Sequence, residues 1–264
     1  MKRKACESKK LAEPVVVAPL QPCISHNPPP SPVFALARAR EVTHLPSALA
    51  FGKKQTTFDE AYMHTCIELC ARVCVELRVG TTTLGMAISY MHRFFAMVPT
   101  KKKDVIVVVM TCLAIAVKLE EVTQHCFEDI CDAAFAVSQT SSCRPGQMKD
   151  MERKILSAIN YNLLAPGIVF FSSFYEAGLP ANLAAVTRFF ALVATARVSI
   201  LGIAPSLVAA ACCLEALERA GLAWCPQVQG AWGIDETEAR ATAPLLFLPG
   251  DDESWPAFAQ MCSM

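Results

Sequence analysis

A single lysine closes the most apolar stretch of this chain. Residues 105–117 read VIVVVMTCLAIAV, and Lys118, Leu119, Glu120 and Glu121 follow. A lysine at the rim of so apolar a segment either snorkels to water or is held for a contact that needs an ammonium. A second segment, Asp150-Met-Glu-Arg-Lys-Ile-Leu156, offers a carboxylate of opposite sign at Glu152. The chemistry open to such a pair is recognition. An ammonium donates to carbonyls, a carboxylate accepts from amides, and both contacts strengthen as water leaves. The plain alternative is an intramolecular salt bridge lying over an ordinary core.

Other reactive residue types are present without the spacing that chemistry needs. Cys66, Cys70 and Cys74 form a one-turn ladder with His64 nearby. Structural zinc sites draw instead on close Cys pairs in turns plus a second pair elsewhere, so the ladder reads as small core residues. Adjacent Cys212 and Cys213 point to different faces of one segment and read the same way. His44, His64, His92 and His125 have no serine or cysteine at a spacing that suggests a nucleophile–base pair. No glycine-rich phosphate loop is visible. No catalytic residue, metal, cofactor or small-molecule ligand is expected.

Composition narrows the class further. The chain of 264 residues is 53% hydrophobic, 18% charged and carries zero net charge. Neutrality argues against a direct nucleic-acid surface. The 13 cysteines are odd in number and sit inside periodic apolar segments, which predicts reduced thiols in the cytosol or nucleus. The apolar, uncharged run Val198 to Leu214 contains Pro205 and falls short of the ~20 residues a bilayer span requires. No membrane association and no leader peptide are expected.

The elements that must position these residues are helices. Residues 1–32 are proline-rich and aperiodic, an expected disordered tail, and their basic start (Lys2, Arg3, Lys4, Lys9, Lys10) suggests nuclear import. Helices are predicted over 33–42, 57–79, 82–97, 101–121, 124–137, 146–161, 167–177, 181–197 and 205–220. Thr57 and Glu60 would form a capping box for the second, with Gly80 as its C-cap. Residues 205–217 repeat the character of 105–121, apolar all round with an acid near the end, a weak internal duplication. Beyond Trp224 the pattern fades to a partial helix at 235–242 and loop.

Three motifs in order carry a family resemblance. Tyr90-Met-His-Arg-Phe-Phe95, Leu113 to Glu121 with its Lys-x-Glu-Glu ending, and Asp150 to Leu156 resemble the second, third and fifth helices of the cyclin box. Thr43-His-Leu-Pro-Ser47 is similar to the element ahead of the first box in transcriptional cyclins of the K and T types. The aromatic-His-Arg-Phe form is that of the K, T and L types, where mitotic cyclins usually carry aspartate at His92. The resemblance implies an all-α fold of two tandem five-helix cyclin boxes, the second shortened at its C-terminal end. The expected layout is a tail over 1–42 with a short helix at its end, a first box over 43–164 and a second over 165–264.

By the same resemblance, Lys118 and Glu152 hold backbone groups of the regulatory helix of a cyclin-dependent kinase. Ile115, Leu119, Leu156 and Leu163 line the apolar pocket beside them, and Glu121 closes the Lys-x-Glu-Glu run of the kinase-binding set. The implied function is a nuclear, non-catalytic activating subunit in a heterodimer with a cyclin-dependent kinase, transcription-associated and acting on RNA polymerase II. The alternative on the same fold is a TFIIB-type general transcription factor that binds promoter DNA, which the zero net charge opposes. Two departures stand out. His64 replaces an arginine of the family's first helix, so the polar pairing there must differ. Cys70 lies near the position of the tryptophan with which mitotic cyclins dock substrates, so that docking patch is not expected to work.

Overall fold

The computed structural model of the chain describes residues 32–41, 60–122, 125–139, 143–224, 234–247 and 254–264. Among these residues there are eleven α-helices and no strand. They are α1 (Pro32–Glu41), α2 (Glu60–Leu77), α3 (Thr81–Met97), α4 (Val105–Glu120), α5 (Phe127–Ser138), α6 (Pro145–Ala158), α7 (Ile168–Glu176), α8 (Ala181–Ala196), α9 (Pro205–Arg219), α10 (Glu236–Leu246) and α11 (Pro256–Ser263). Of the expected tail over 1–32, Pro32 instead opens α1, and the remainder lies outside the described residues, as do the Thr43–Ser47 element and the Thr57 capping box.

Two five-helix units follow from two helices that have no polar face. Every residue of α4 from Val107 to Val117 is buried, and α2, α3, α5 and α6 pack around it. α9 plays the same part for α7, α8 and α10. An amphipathic helix can lie on a surface, but one apolar on every side must be enclosed. The faint likeness between 105–121 and 205–217 is thus a likeness of position.

Helix ends differ from the periodic reading in three places. Residue Arg78, with φ of 55°, ends α2 in the left-handed region. The N–H of Val79 reaches back to the Cys74 carbonyl at 2.8 Å. Gly80 is therefore not the C-cap of α2 but the N-cap of α3, in extended backbone. α6 ends at Ala158, because Asn160 and Tyr161 both adopt positive φ. The C-terminal region carries two helices, so the second unit is not shortened: α10 runs through Pro244, and α11 packs against α2 and α8. An eight-residue helix opened by a proline is too brief to show a periodic stripe.

The units are joined by buried contacts. α3 approaches α7 at Gly85, where a Cβ would meet Val169 Cγ2 at 2.6 Å. The Nε2–H of buried His92 donates to the Thr195 carbonyl at 3.1 Å, since a carbonyl can only accept. His64 packs on Trp255 with ring centroids 3.8 Å apart, and the Ala257 N–H at the start of α11 donates to Glu68 Oε1 at 2.9 Å. α1 joins the second unit. Phe34 meets Phe171 and Phe174 edge-on at 5.3 and 5.2 Å, and Glu41 accepts from the N–H (2.9 Å) and hydroxyl (2.8 Å) of Ser206 at the start of α9.

These contacts set two expectations. Gly85→Ala should destabilise the chain by about 1–3 kcal/mol through overpacking against Val169, seen as a lower urea midpoint at unchanged slope. Burial lowers the His92 pKa to about 4, below the ordinary imidazole value of 6.5. The unfolded chain therefore binds a proton that the folded chain refuses. This stability is complete above pH ~6.5 and is lost as pH falls towards about 4, on the order of 3 kcal/mol in all. Burial pushes Glu68 upward, which acts in the opposite sense. The readout is therefore the difference between the unaltered chain and His92→Gln in urea unfolding from pH 7 to 4, and the slope should flatten in the variant.

Candidate functional site

α4 and α6 meet where the apolar run of α4 ends. Met148, Glu152 and Ile155 fall at i, i+4 and i+7 on α6. Met148 and Ile155 are buried, and that stripe turns towards α4. Glu152 sits between them at the edge of the contact. Lys118 lies in the last turn of α4, where a cation is favoured by the helix dipole. Its Nζ donates to Glu152 Oε1 at 2.7 Å, with the two side chains 42% and 23% exposed. The same ammonium lies 4.2 Å from the centroid of the Phe127 ring at the start of α5. A carboxylate and an aromatic face thus hold one lysine from two different helices.

The apolar residues of the predicted set distribute around this pair. Ile115 is buried in α4, while Leu119 is 40% exposed beside Lys118. Leu156 and Leu163 are half-buried at the margin of the core. Leu163 also lines a groove of about 290 Å³ with Leu36, Met86, Glu120 and Leu164. Its carbonyl accepts from the Tyr90 hydroxyl at 2.8 Å. Glu121 is engaged within the chain. One of its oxygens accepts from the Gly80 N–H at 2.9 Å and the Thr83 hydroxyl at 2.6 Å, which ties the end of α4 to the start of α3.

Three features of the site were not assigned from sequence. Phe127 follows Lys118 by nine residues across a turn, a separation with no periodic signal. Arg93 belongs to the Tyr90–Phe95 motif, but its task was not legible there. Its guanidinium donates to the carbonyls of Asn162 (2.7 Å) and Ile159 (3.2 Å), gripping the end of α6 and the turn that leads to Leu163. The third is the C-terminal helix against α2, where His64 meets Trp255.

The cysteine ladder lies in the core. Cys66, Cys70, Cys74 and Cys112 are buried. Burial pushes the Cys66 thiol up to about 11, and Cys74 and Cys112 well above their ordinary value. Among the described residues, no three His, Cys, Asp or Glu side chains gather as a metal ligand set, and no helix is long and apolar enough to cross a membrane.

Known proteins resemble this chain in sequence and in fold. A cyclin-A1-2 of Arabidopsis thaliana is 24% identical over 134 residues, 51% of this chain and 29% of the relative. A G1/S-specific cyclin-D1 of Danio rerio is 28% identical over 145 residues, 52% of this chain and 48% of the relative. The chain thus spans less than half the length of these curated relatives. In fold it is similar to a viral cyclin from herpesvirus saimiri, with a TM-score of 0.69 at 14% identity over 86% of this chain and 99% of the other. It is also similar to a chain of the yeast RNA polymerase II CTD kinase complex CTDK-1, with a TM-score of 0.62 at 16% identity over 74% and 68%. The family described as the cyclin N-terminal domain matches residues 32–164, half of the sequence, and this chain belongs to the cyclin family.

Proposed function

We propose that this chain is the activating subunit of a cyclin-dependent protein kinase. It binds the kinase as a heterodimer through Lys118, Glu152, Ile115, Leu119, Leu156 and Leu163, with Glu121 of the same set bracing the end of α4 from within the chain, and presses the regulatory helix of the kinase inward. That movement aligns the kinase's catalytic lysine–glutamate pair and activation loop. The two boxes of this reading span 43–164 and 165–264.

One observation carries the proposal: a charged pair is held at the surface where α4 meets α6, with Leu119 40% exposed beside it. An ion pair so exposed contributes about 0–1 kcal/mol to folding, too little to account for the site as a structural brace. Desolvated by a partner, the same groups are worth far more, and truncating one costs about 2–5 kcal/mol.

The finer reading is a transcription-associated kinase acting in the nucleus on the tail of RNA polymerase II. The Tyr90–Phe95 motif supports it, as does the likeness in fold to a chain of the yeast CTD kinase complex. A second reading, a G1/S kinase, is favoured by the D-type relatives. Purified chain added to a panel of recombinant cyclin-dependent kinases tests both. Activation by orders of magnitude on a polymerase-tail peptide supports the first reading, and activation confined to G1/S kinases supports the second. Activation of no kinase in the panel, together with no kinase co-purifying from native cells, would refute the proposal.

Lys118→Ala and Glu152→Ala should each weaken kinase binding by about 2–5 kcal/mol while moving the melting temperature of the free chain little. Leu119→Asp should weaken it more, because it drives an unpaired charge into an apolar contact. Affinity by calorimetry and melting temperature are read on the same three variants. Full affinity in folded Lys118→Ala and Glu152→Ala would remove the proposed interface.

A further inference from the structure

We infer that Phe127 is a positioning residue for Lys118, holding its ammonium in the binding geometry before a partner arrives. The inference rests on the kinase contact proposed for Lys118 and adds a residue that the family resemblance did not supply.

The ammonium lies 2.7 Å from Glu152 Oε1 and 4.2 Å from the centroid of the Phe127 ring. The two holders stand on separate helices, so neither a slide of α5 nor one of α6 alone would free the lysine. Phe127 is fixed in turn. It is buried, and it is the first residue of α5, directly after Cys126. The Cys126 N–H donates to Asp129 Oδ2 at 2.7 Å within a capping box that sets the start of that helix. The ring face is electronegative and attracts an ammonium beyond the effect of packing. A long side chain that is loose on a surface must surrender its rotamer freedom when a partner grips it, which weakens binding. Lys118 has surrendered much of that freedom already. Glu152 accepts from only one of its three N–H groups, and the ring face takes none in a directed hydrogen bond, so donors remain for a partner.

The test uses the full chain with Phe127→Leu, Phe127→Met and Phe127→Tyr, each made with Lys118 intact and in a Lys118→Met background. Binding is measured to a cyclin-dependent kinase that binds the unaltered chain, and thermal melts report folding. NMR of the free chain reads the ε-methylene protons of Lys118, which the ring should shift upfield. The Leu and Met variants should lose that shift and bind roughly 3- to 10-fold more weakly. The Tyr variant, which keeps the ring face, should retain both. In the Lys118→Met background the Leu and Met substitutions should have no further effect. Should one of the two apolar variants fail to fold, the other with the Tyr variant decides. Full affinity in the folded Leu or Met variant, alongside a loss in Lys118→Met, would overturn the role of Phe127 and leave the kinase contact standing. A loss that persists in the Lys118→Met background would reduce Phe127 to packing and also overturn it. Full affinity in Lys118→Met would overturn the kinase contact itself, and the role of Phe127 with it.

Discussion

The absence of any polar face on α4 organises the first unit. From Val107 to Val117 every residue of that helix is buried, so four other helices must cover it. At about 25 cal/mol per Å² of apolar surface removed from water, leaving one side of such a helix open would cost many kcal/mol. The cover has to end somewhere, and it ends at Lys118. The site lies at the one place where the central helix turns from buried to charged. α5 and α6, which close the cover there, deliver the ring of Phe127 and the carboxylate of Glu152 to that same lysine.

The ends of α4 and α6 are both tied to α3. Glu121 binds the start of α3, Tyr90 holds the Leu163 carbonyl, and Arg93 holds the carbonyls at the end of α6. Burial pushes the Tyr90 phenol up, against a smaller opposite pull from Arg93, so the hydroxyl stays a neutral donor. Each bond engages a backbone group at a helix end or turn, where the regular helical ladder runs out. The surface pair can remain exposed because this layer beneath it keeps α3, α4 and α6 in register.

The second unit braces the first by contacts that involve two histidines of the first unit. His92 reaches the end of α8 and His64 stacks on Trp255, so both bind the partner unit. With Glu68 at the start of α11 and Gly85 against Val169, the joint combines hydrogen bonds, ring contact and close backbone approach. A domain joint built this way is stiffer than one made by polar surface alone.

Much of this was legible in the chain before folding. Periodicity marked α2 to α9 within a few residues, because enclosure leaves a compositional trace in every turn. The apolar runs 105–117 and 205–217 identified both central helices, and Lys118 and Glu152 stood out as opposite charges at two separate apolar segments, to which the cyclin-box resemblance gave a role. Other features carried no local signal. α11 is eight residues long, too short for a stripe, and only its docking on α2 and α8 gives it a reason to be helical. Arg78 took the left-handed cap in place of Gly80, since chain direction into α3 decided which residue turned. The ring beneath Lys118, the inward turn of Glu121 and the grip of Arg93 on α6 each join residues whose separation matches no helical or strand period. The order of apolar and charged residues dictated which segments must be buried and where charge must emerge. Which side chains meet that charge depended on the packing of three helices, and that is a property of the tertiary structure alone.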